Sequence, residues 1–219
     1  MPLLPAPFLF RLTYTCPHVK NMPREDDDRL LDLPSHCRSD NLPELSDRKN
    51  FADVRLAWNE LGLGFQVEVK GKHQPITGDA SRPRSSDGAF LWIDTRDTRT
   101  IHRASRYCHQ FCFLPTGGGP ERDLPVVNQL TIHRAMADAP LAQPEQIPFL
   151  SKSTKSGYVL EAFLPAAALS GFDPENNPRL GFFWWVHDLE LGSQTLGLGN
   201  EFPFWEDPSL WSVLELVRV

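Results

Sequence analysis

The stretch Phe51–Lys70 restricts the fold more than any other part of the chain. It alternates. Val54, Leu56 and Trp58 share one parity; Phe65, Val67 and Val69 share one as well, with Gln66, Glu68 and Lys70 between them. Side chains on a strand point to alternate faces, so two half-buried strands are predicted. Asn59-Glu60-Leu61-Gly62 lies between them with turn chemistry, and the two should close as an antiparallel hairpin. A second stretch, Asp87–Arg96, is apolar on both parities from Ala89 to Ile93. That pattern suits a central strand covered on both sides.

Further strands are expected at Phe8–Thr15, Tyr107–Leu114, Val126–His133, Tyr158–Leu164, Arg179–Leu189 and Leu210–Val217, with Arg29–Leu33 as a short edge strand. Pro165–Leu169 opens on proline and stops before Gly171, which fits one short helix. Asn21–Asp28, Ser35–Lys49, His73–Ser86, Ala135–Lys155 and Leu191–Phe204 read as loops or irregular connections. The order is not β-α-β, so the expected fold is an all-β, antiparallel, jelly-roll-like β-sandwich. With 219 residues, 41% hydrophobic, the chain can bury one sizeable core, so 1–219 is expected to be a single domain.

The formal charge of −6 argues against nucleic acid as a partner. No apolar run approaches the ~20 residues that span a bilayer. The opening MPLLPAPFLFRLTYTCP has no basic lead and is broken by prolines, so it makes a poor signal peptide and a cytoplasmic location is expected. There Cys16, Cys37, Cys108 and Cys112 should be free thiols. Cys108 and Cys112 would lie ~13 Å apart on one strand, with His109 facing the other way, which disfavours a metal site.

Several motifs follow one another in a definite order: a strand ending Trp58-Asn59-Glu60, a strand Gly64-Phe65-Gln66-Val67-Glu68-Val69, then Asp87-Gly88 leading to Trp92-Ile93-Asp94. GYVLEAFLPAAAL, RLGFFWWVHDLE and WEDPSLWSVLELV come after them. In this order they resemble the family 9 carbohydrate-binding modules and the wider DOMON-like group, over roughly Asp47–Val219. The resemblance implies a sugar ligand clasped between aromatics, with polar side chains at the end of a glycan. Where family members often carry a carboxylate in the central strand, this chain has Phe90, and Ala80–Ser86 offers no aromatic as an opposing plate.

Six tryptophans are candidates to meet a sugar's C–H faces: Trp58, Trp92, Trp184, Trp185, Trp205 and Trp211. Adjacent Trp184 and Trp185 should face opposite sides, leaving only one in the core. Trp205, beside Glu206 and Asp207 in a loop, is the best platform, with Trp185 as a second aromatic. The Arg/His-rich loop 96–109, with Arg99, His102, Arg103 and Arg106, offers an alternative site for an anionic ligand. The bland reading of that loop is a network of ion pairs. Asp188 and Glu190 are expected at the solvated end of a strand.

The leading expectation is therefore a non-catalytic module that binds a glycan or sugar-derived ligand. A protein-interaction or structural sandwich is the alternative. No HExxH, GxSxG or kinase-type motif supports an enzyme. No cofactor is implied beyond a structural calcium at Asp26-Asp27-Asp28, and a solvated acidic loop is the simpler reading there.

Overall fold

A computed structural model describes residues 12–25, 28–41, 50–98 and 100–218. Eleven strands occur among them. They are β1 (Thr13–Pro17), β2 (Ala52–Asn59), β3 (Gly62–Lys70), β4 (Gly88–Asp94), β5 (Cys108–Gly118) and β6 (Leu124–Leu130), followed by β7 (Phe149–Thr154), β8 (Gly157–Pro165), β9 (Arg179–Asp188), β10 (Gly192–Thr195) and β11 (Ser212–Val217). One sheet runs β1-β11-β9-β4-β5-β6, with β10 paired to β9; the other runs β2-β3-β8-β7. The two form the β-sandwich that the strand pattern predicts.

The hairpin forms as expected, with Leu56 opposite Phe65 and Val54 opposite Val67. Its return strand begins at Gly62, where a Cβ would sit 2.0 Å from the Leu164 carbonyl oxygen of β8, so only glycine lets the two backbones approach. All of β4 is buried, as its double-parity pattern requires. Its inner face (Ala89, Leu91, Ile93) continues through Phe113, whose ring meets Phe65 and Phe149 of the small sheet at 5.3 and 5.8 Å. Its outer face carries Phe90 and Trp92. They pair with Trp185 and Phe183 of β9 and with Cys112 and Gln110 of β5.

Several expectations are corrected. Trp184 and Trp185 do face opposite sides, but both are buried, at 0% and 8% exposure. The outer face of the large sheet is roofed by loops, so pointing away from the inter-sheet core does not mean pointing to water. β1 pairs in parallel with β11. The two lie near opposite ends of the chain, so no tight turn dictates their direction. The described part of the first strand is Thr13–Pro17, while residues 8–11 of the expected one lie outside the described residues. The expected helix at Pro165–Leu169 is a single 3-10 turn at Ala166–Ala168, because five residues are too few to repay helix nucleation. β7 forms at the end of Ala135–Lys155, a stretch read as irregular; it is an edge strand with an exposed, polar second half, so it shows no strong period.

Arg29–Leu33 is not a strand. The N–H groups of Leu30 and Leu31 donate to the Glu161 carboxylate at 2.6 and 3.0 Å, and that of Leu33 donates to Gln66 Oε1 at 2.9 Å. Asp188 is not at a solvated end. It is fully buried and pairs with Lys72. All four cysteines are free and buried. Among the described residues, no helix is long and apolar enough to cross a membrane.

Candidate ligand-binding site

The outer face of the large sheet is lined by aromatic rings because β4 and β9 place bulky residues at facing positions. Phe90 stacks on Trp185 with centroids 4.9 Å apart, and Trp92 meets Phe183 edge-on at 6.2 Å. The loop between β10 and β11 closes over them. Phe204, fully buried, stacks on Phe183 at 4.3 Å and stands edge-on to Trp92 at 5.5 Å and to Trp185 at 6.3 Å. Trp205 sits above, half-buried and edge-on to Phe204 at 5.3 Å.

Two carboxylates follow Trp205, and each is tethered to a different loop. Glu206 pairs with His133 Nδ1 at 2.8 Å and with Arg134 at 3.6 Å. Asp207 pairs with His102 Nδ1 at 3.1 Å. It also accepts from Ser209 N at 2.9 Å, which fixes the turn after it. The His102 and His133 side chains are largely exposed, so these polar groups form an open rim around Trp205. Ser209, His102 and Asp207 do not make a catalytic triad. Serine and carboxylate both meet the same ring nitrogen, Nδ1, whereas a general base needs one nitrogen for each.

The structure thus brings together Trp205, Glu206, Asp207 and His102, with Trp185 beneath them. It does not gather the arginines. Arg103 donates to the carbonyls of Arg134 and Ala135 at 2.8 and 3.3 Å. Arg106 lies over the Tyr107 ring at 5.9 Å, and Arg96 over the same ring at 4.9 Å. Arg99 lies outside the described residues. Buried Asp94 accepts from the N–H groups of Arg96 and Thr98, at 2.9 and 2.6 Å, which folds the loop locally. Burial raises the pKa of Asp94, and those two backbone hydrogen bonds oppose the rise.

His109 faces away from Cys108 and Cys112, as strand alternation requires, and stacks on Phe111. Gln129 Oε1 accepts from Ala142 N, so its amide nitrogen faces His109 Nδ1 at 3.1 Å and donates to it. His109 Nε2 then donates to the Ser170 carbonyl at 3.4 Å. This neutral ring is structural. Among the described residues, no cluster of three or more metal-ligating side chains occurs. Of the calcium candidates, Asp26 and Asp27 lie outside the described residues, and Asp28 pairs with Lys152.

Sequence reasoning missed Phe204, Gln110, His133 and Arg134 at this site. Phe204 had a signal, the apolar run Phe202-Pro203-Phe204-Trp205 inside an otherwise Gly-rich loop. His133 and Arg134 had none, since only the fold carries them to Glu206.

This arrangement is a two-sheet β-sandwich whose large sheet carries stacked aromatic rings on its outer face under a polar rim. The chain shares its fold with a family 9 carbohydrate-binding module from Caldicellulosiruptor kristjanssonii, solved with cellotriose and with glucose. The cellotriose complex matches at TM-score 0.60 and 17% identity, covering 95% of both chains. The glucose complex matches at TM-score 0.61 and 17% identity, covering 95% of this chain and 97% of the other. A protein from Bacteroides uniformis shares the fold at TM-score 0.52 and 12% identity, covering 95% of this chain and all of the other. No protein-family model and no curated protein matches the sequence.

Proposed function

We propose that the chain is a single-domain, non-catalytic module that binds a glycan or sugar-derived ligand at the rim around Trp205. The observation that carries this reading is a half-buried indole on a loop, flanked by Glu206 with His133 and Asp207 with His102, above an aromatic floor. A sugar ring presents C–H groups to an aromatic face and hydroxyls to carboxylate, imidazole and guanidinium groups at its edge. The shared fold supports the same reading, since the Caldicellulosiruptor module was solved with glucose and cellotriose. The ligand class proposed first is a neutral gluco-oligosaccharide. Phe90, in place of a carboxylate on the central strand, favours the second reading, a sandwich that serves as a protein-interaction domain.

The test is calorimetric titration against neutral, uronic and sulfated oligosaccharides, repeated with Trp205→Ala. Saturable binding of a neutral glycan that weakens at least tenfold in the variant is the expected result. Binding of charged sugars only, unchanged by the substitution, would move the site to the arginine-rich loop. Heat from none of them would leave the interaction domain as the better reading.

A further inference from the structure

We propose that Arg84 is a specificity-determining residue of the rim, whose guanidinium selects a gluco-chain with one carboxylate-bearing unit, such as glucuronate, over the wholly neutral chain. The proposal rests on the glycan-binding reading and adds which unit of the ligand is charged and which residue reads it. The 73–87 loop holds Arg84 in place through short-range ties. Its middle is pinned to the β5–β6 hairpin. A Cβ on Gly78 would stand 2.1 Å from the Thr116 carbonyl oxygen, and Ala80 N donates to the Gly117 carbonyl at 3.1 Å. Asp79 pairs with Arg122 at 3.3 Å, and its N–H donates to Ser86 Oγ at 2.9 Å, which draws the two ends of the loop tip together. Between them Pro83–Ser85 forms one 3-10 turn with Arg84 at its centre. Buried Ser86 and Asp87 then lead into β4, the strand that carries Phe90.

Two groups outside the loop act on the Arg84 charge, Glu206 and Cys112. Cys112 is the cross-strand partner of Phe90, and Phe90 stacks on Trp185, so the guanidinium stands beside the aromatic floor. Glu206 follows Trp205 in the chain, so it stands beside the loop indole as well. Burial against this face holds the pKa of Arg84 below its ordinary value, and Glu206 and Cys112 oppose that. Yet Arg84 makes no hydrogen bond and no ion pair among the described residues, while Glu206 is held by His133 and Arg134. The residue keeps an exposed side from which a ligand can reach it. A partly desolvated guanidinium with five unused donors lacks the partner such a group normally has.

The chemistry of that partner is restricted. The two parallel N–H groups of the fork match both oxygens of a planar carboxylate, and the opposite charges strengthen both bonds. A sugar hydroxyl meets the fork through a single oxygen and leaves the charge unbalanced. The central strand presents Phe90 here and so adds no acid that would repel a carboxylate. With the fork at the edge of the rim and Trp205 above its floor, one chain can lay a neutral ring on the indole and bring an acidic neighbour to Arg84.

The test titrates the intact protein calorimetrically with cellotriose and with the analogues of equal length in which one glucose is oxidised to glucuronate. The best-placed acidic analogue should bind about tenfold more tightly than cellotriose, and that ratio should shrink as salt is added. Arg84→Gln should bring the two ligands level. Arg84→Lys keeps the charge without the fork and should restore only part of the ratio. Lys155→Gln removes an equal charge from the exposed β7–β8 turn and should leave the ratio as in the wild type. Equal affinities for both ligands, lost together in Trp205→Ala, would overturn the role of Arg84 and leave the glycan site at the rim standing. A preference for the acid that survives in Arg84→Gln would also overturn it, because the charge would then be read elsewhere. Binding of neither ligand would overturn it too, and the wider glycan panel would decide the broader reading separately.

Discussion

Lys72 shows how much one side chain can carry. Its ammonium is buried at the end of the hairpin, 3.0 Å from Asp87 Oδ2, 3.0 Å from Asp188 Oδ1 and 3.9 Å from Glu190. Burial alone would lower its pKa. The hydrogen bonds to Asp188 and Asp87 outweigh that and raise it, so the amine stays charged. Asp87 also accepts from Thr77 N at 2.8 Å and Leu189 N at 2.7 Å, and Asp188 from Glu190 N and Leu191 N, both at 2.9 Å. The amine therefore ties the 73–87 loop to the turn after β9. Removing one partner of a buried charge group leaves the others unpaired, which costs about 3–5 kcal/mol. Lys72→Met should lose stability on that scale in urea denaturation. Lys70→Ala, which removes an exposed pair with Glu68 only two residues away, should stay within about 0.5 kcal/mol. Equal losses in the two variants would show that Lys72 does not hold these carboxylates.

At the scale of elements, the segment from Val19 to Cys37 has no strand period, yet it makes a second small core. Met22, Leu31, Leu33 and Cys37 pack on Ala57 and Phe163, on the outer face of the small sheet. Glu161 fastens the segment by accepting two of its backbone N–H groups. Glu161→Ala would leave the buried Leu31 donor without a partner, at about 1–3 kcal/mol, while the half-buried Leu30 donor turns to water at smaller cost. The expected signature is faster hydrogen exchange across residues 28–37, with β3 and β8 amides changed much less. Glu161→Gln, which keeps one acceptor oxygen, should lie between. This segment also marks what the sequence could tell. Strand alternation is local, so the hairpin, β4, β8 and β9 were legible residue by residue, as was the antiparallel sandwich that they imply. The wrap of 19–37 depends on a carboxylate about 130 positions away, and the parallel pairing of β1 depends on the opposite end of the chain. No window of sequence contains either. The site divides in the same way. Trp205, Glu206 and Asp207 stand together in the chain and could be named, whereas His133 and Arg134 acquire their roles only from Glu206, to which the fold brings them.

For the whole molecule, buried titratable groups set a window of pH in which the sandwich is stable. On the acid side, burial holds His109 at about 4, below its ordinary 6.5, and burial also lowers His187. As pH falls below 6.5, the unfolded chain takes up protons that the folded one refuses. Stability present above 6.5 is therefore lost between there and about 4, by up to about 1.4 kcal/mol per pH unit for His109. Asp94 acts in the opposite sense, because its raised pKa returns some stability as it protonates. On the alkaline side, burial pushes Cys37 up to about 11, and Cys108 and Cys112 up to about 12, from an ordinary 9.0. Tyr14 is pushed to about 12 from 10.0 by burial and by Asp40. Here the unfolded chain gives up protons first, so stability present below 9 is lost as pH rises towards the folded values. Burial raises Cys16 as well, and four thiols acting together make that loss the steeper one. Urea denaturation across pH should thus show a plateau between about 6.5 and about 9, a moderate acid slope and a sharper alkaline fall. His109→Gln keeps a side chain that can bond to Gln129 and Ser170 but does not titrate. It should flatten the acid slope even if it lowers the plateau. An unchanged slope in that variant would mean that His109 is protonated as readily in the folded protein as in the unfolded chain, and that the acid limit lies with His187 or elsewhere.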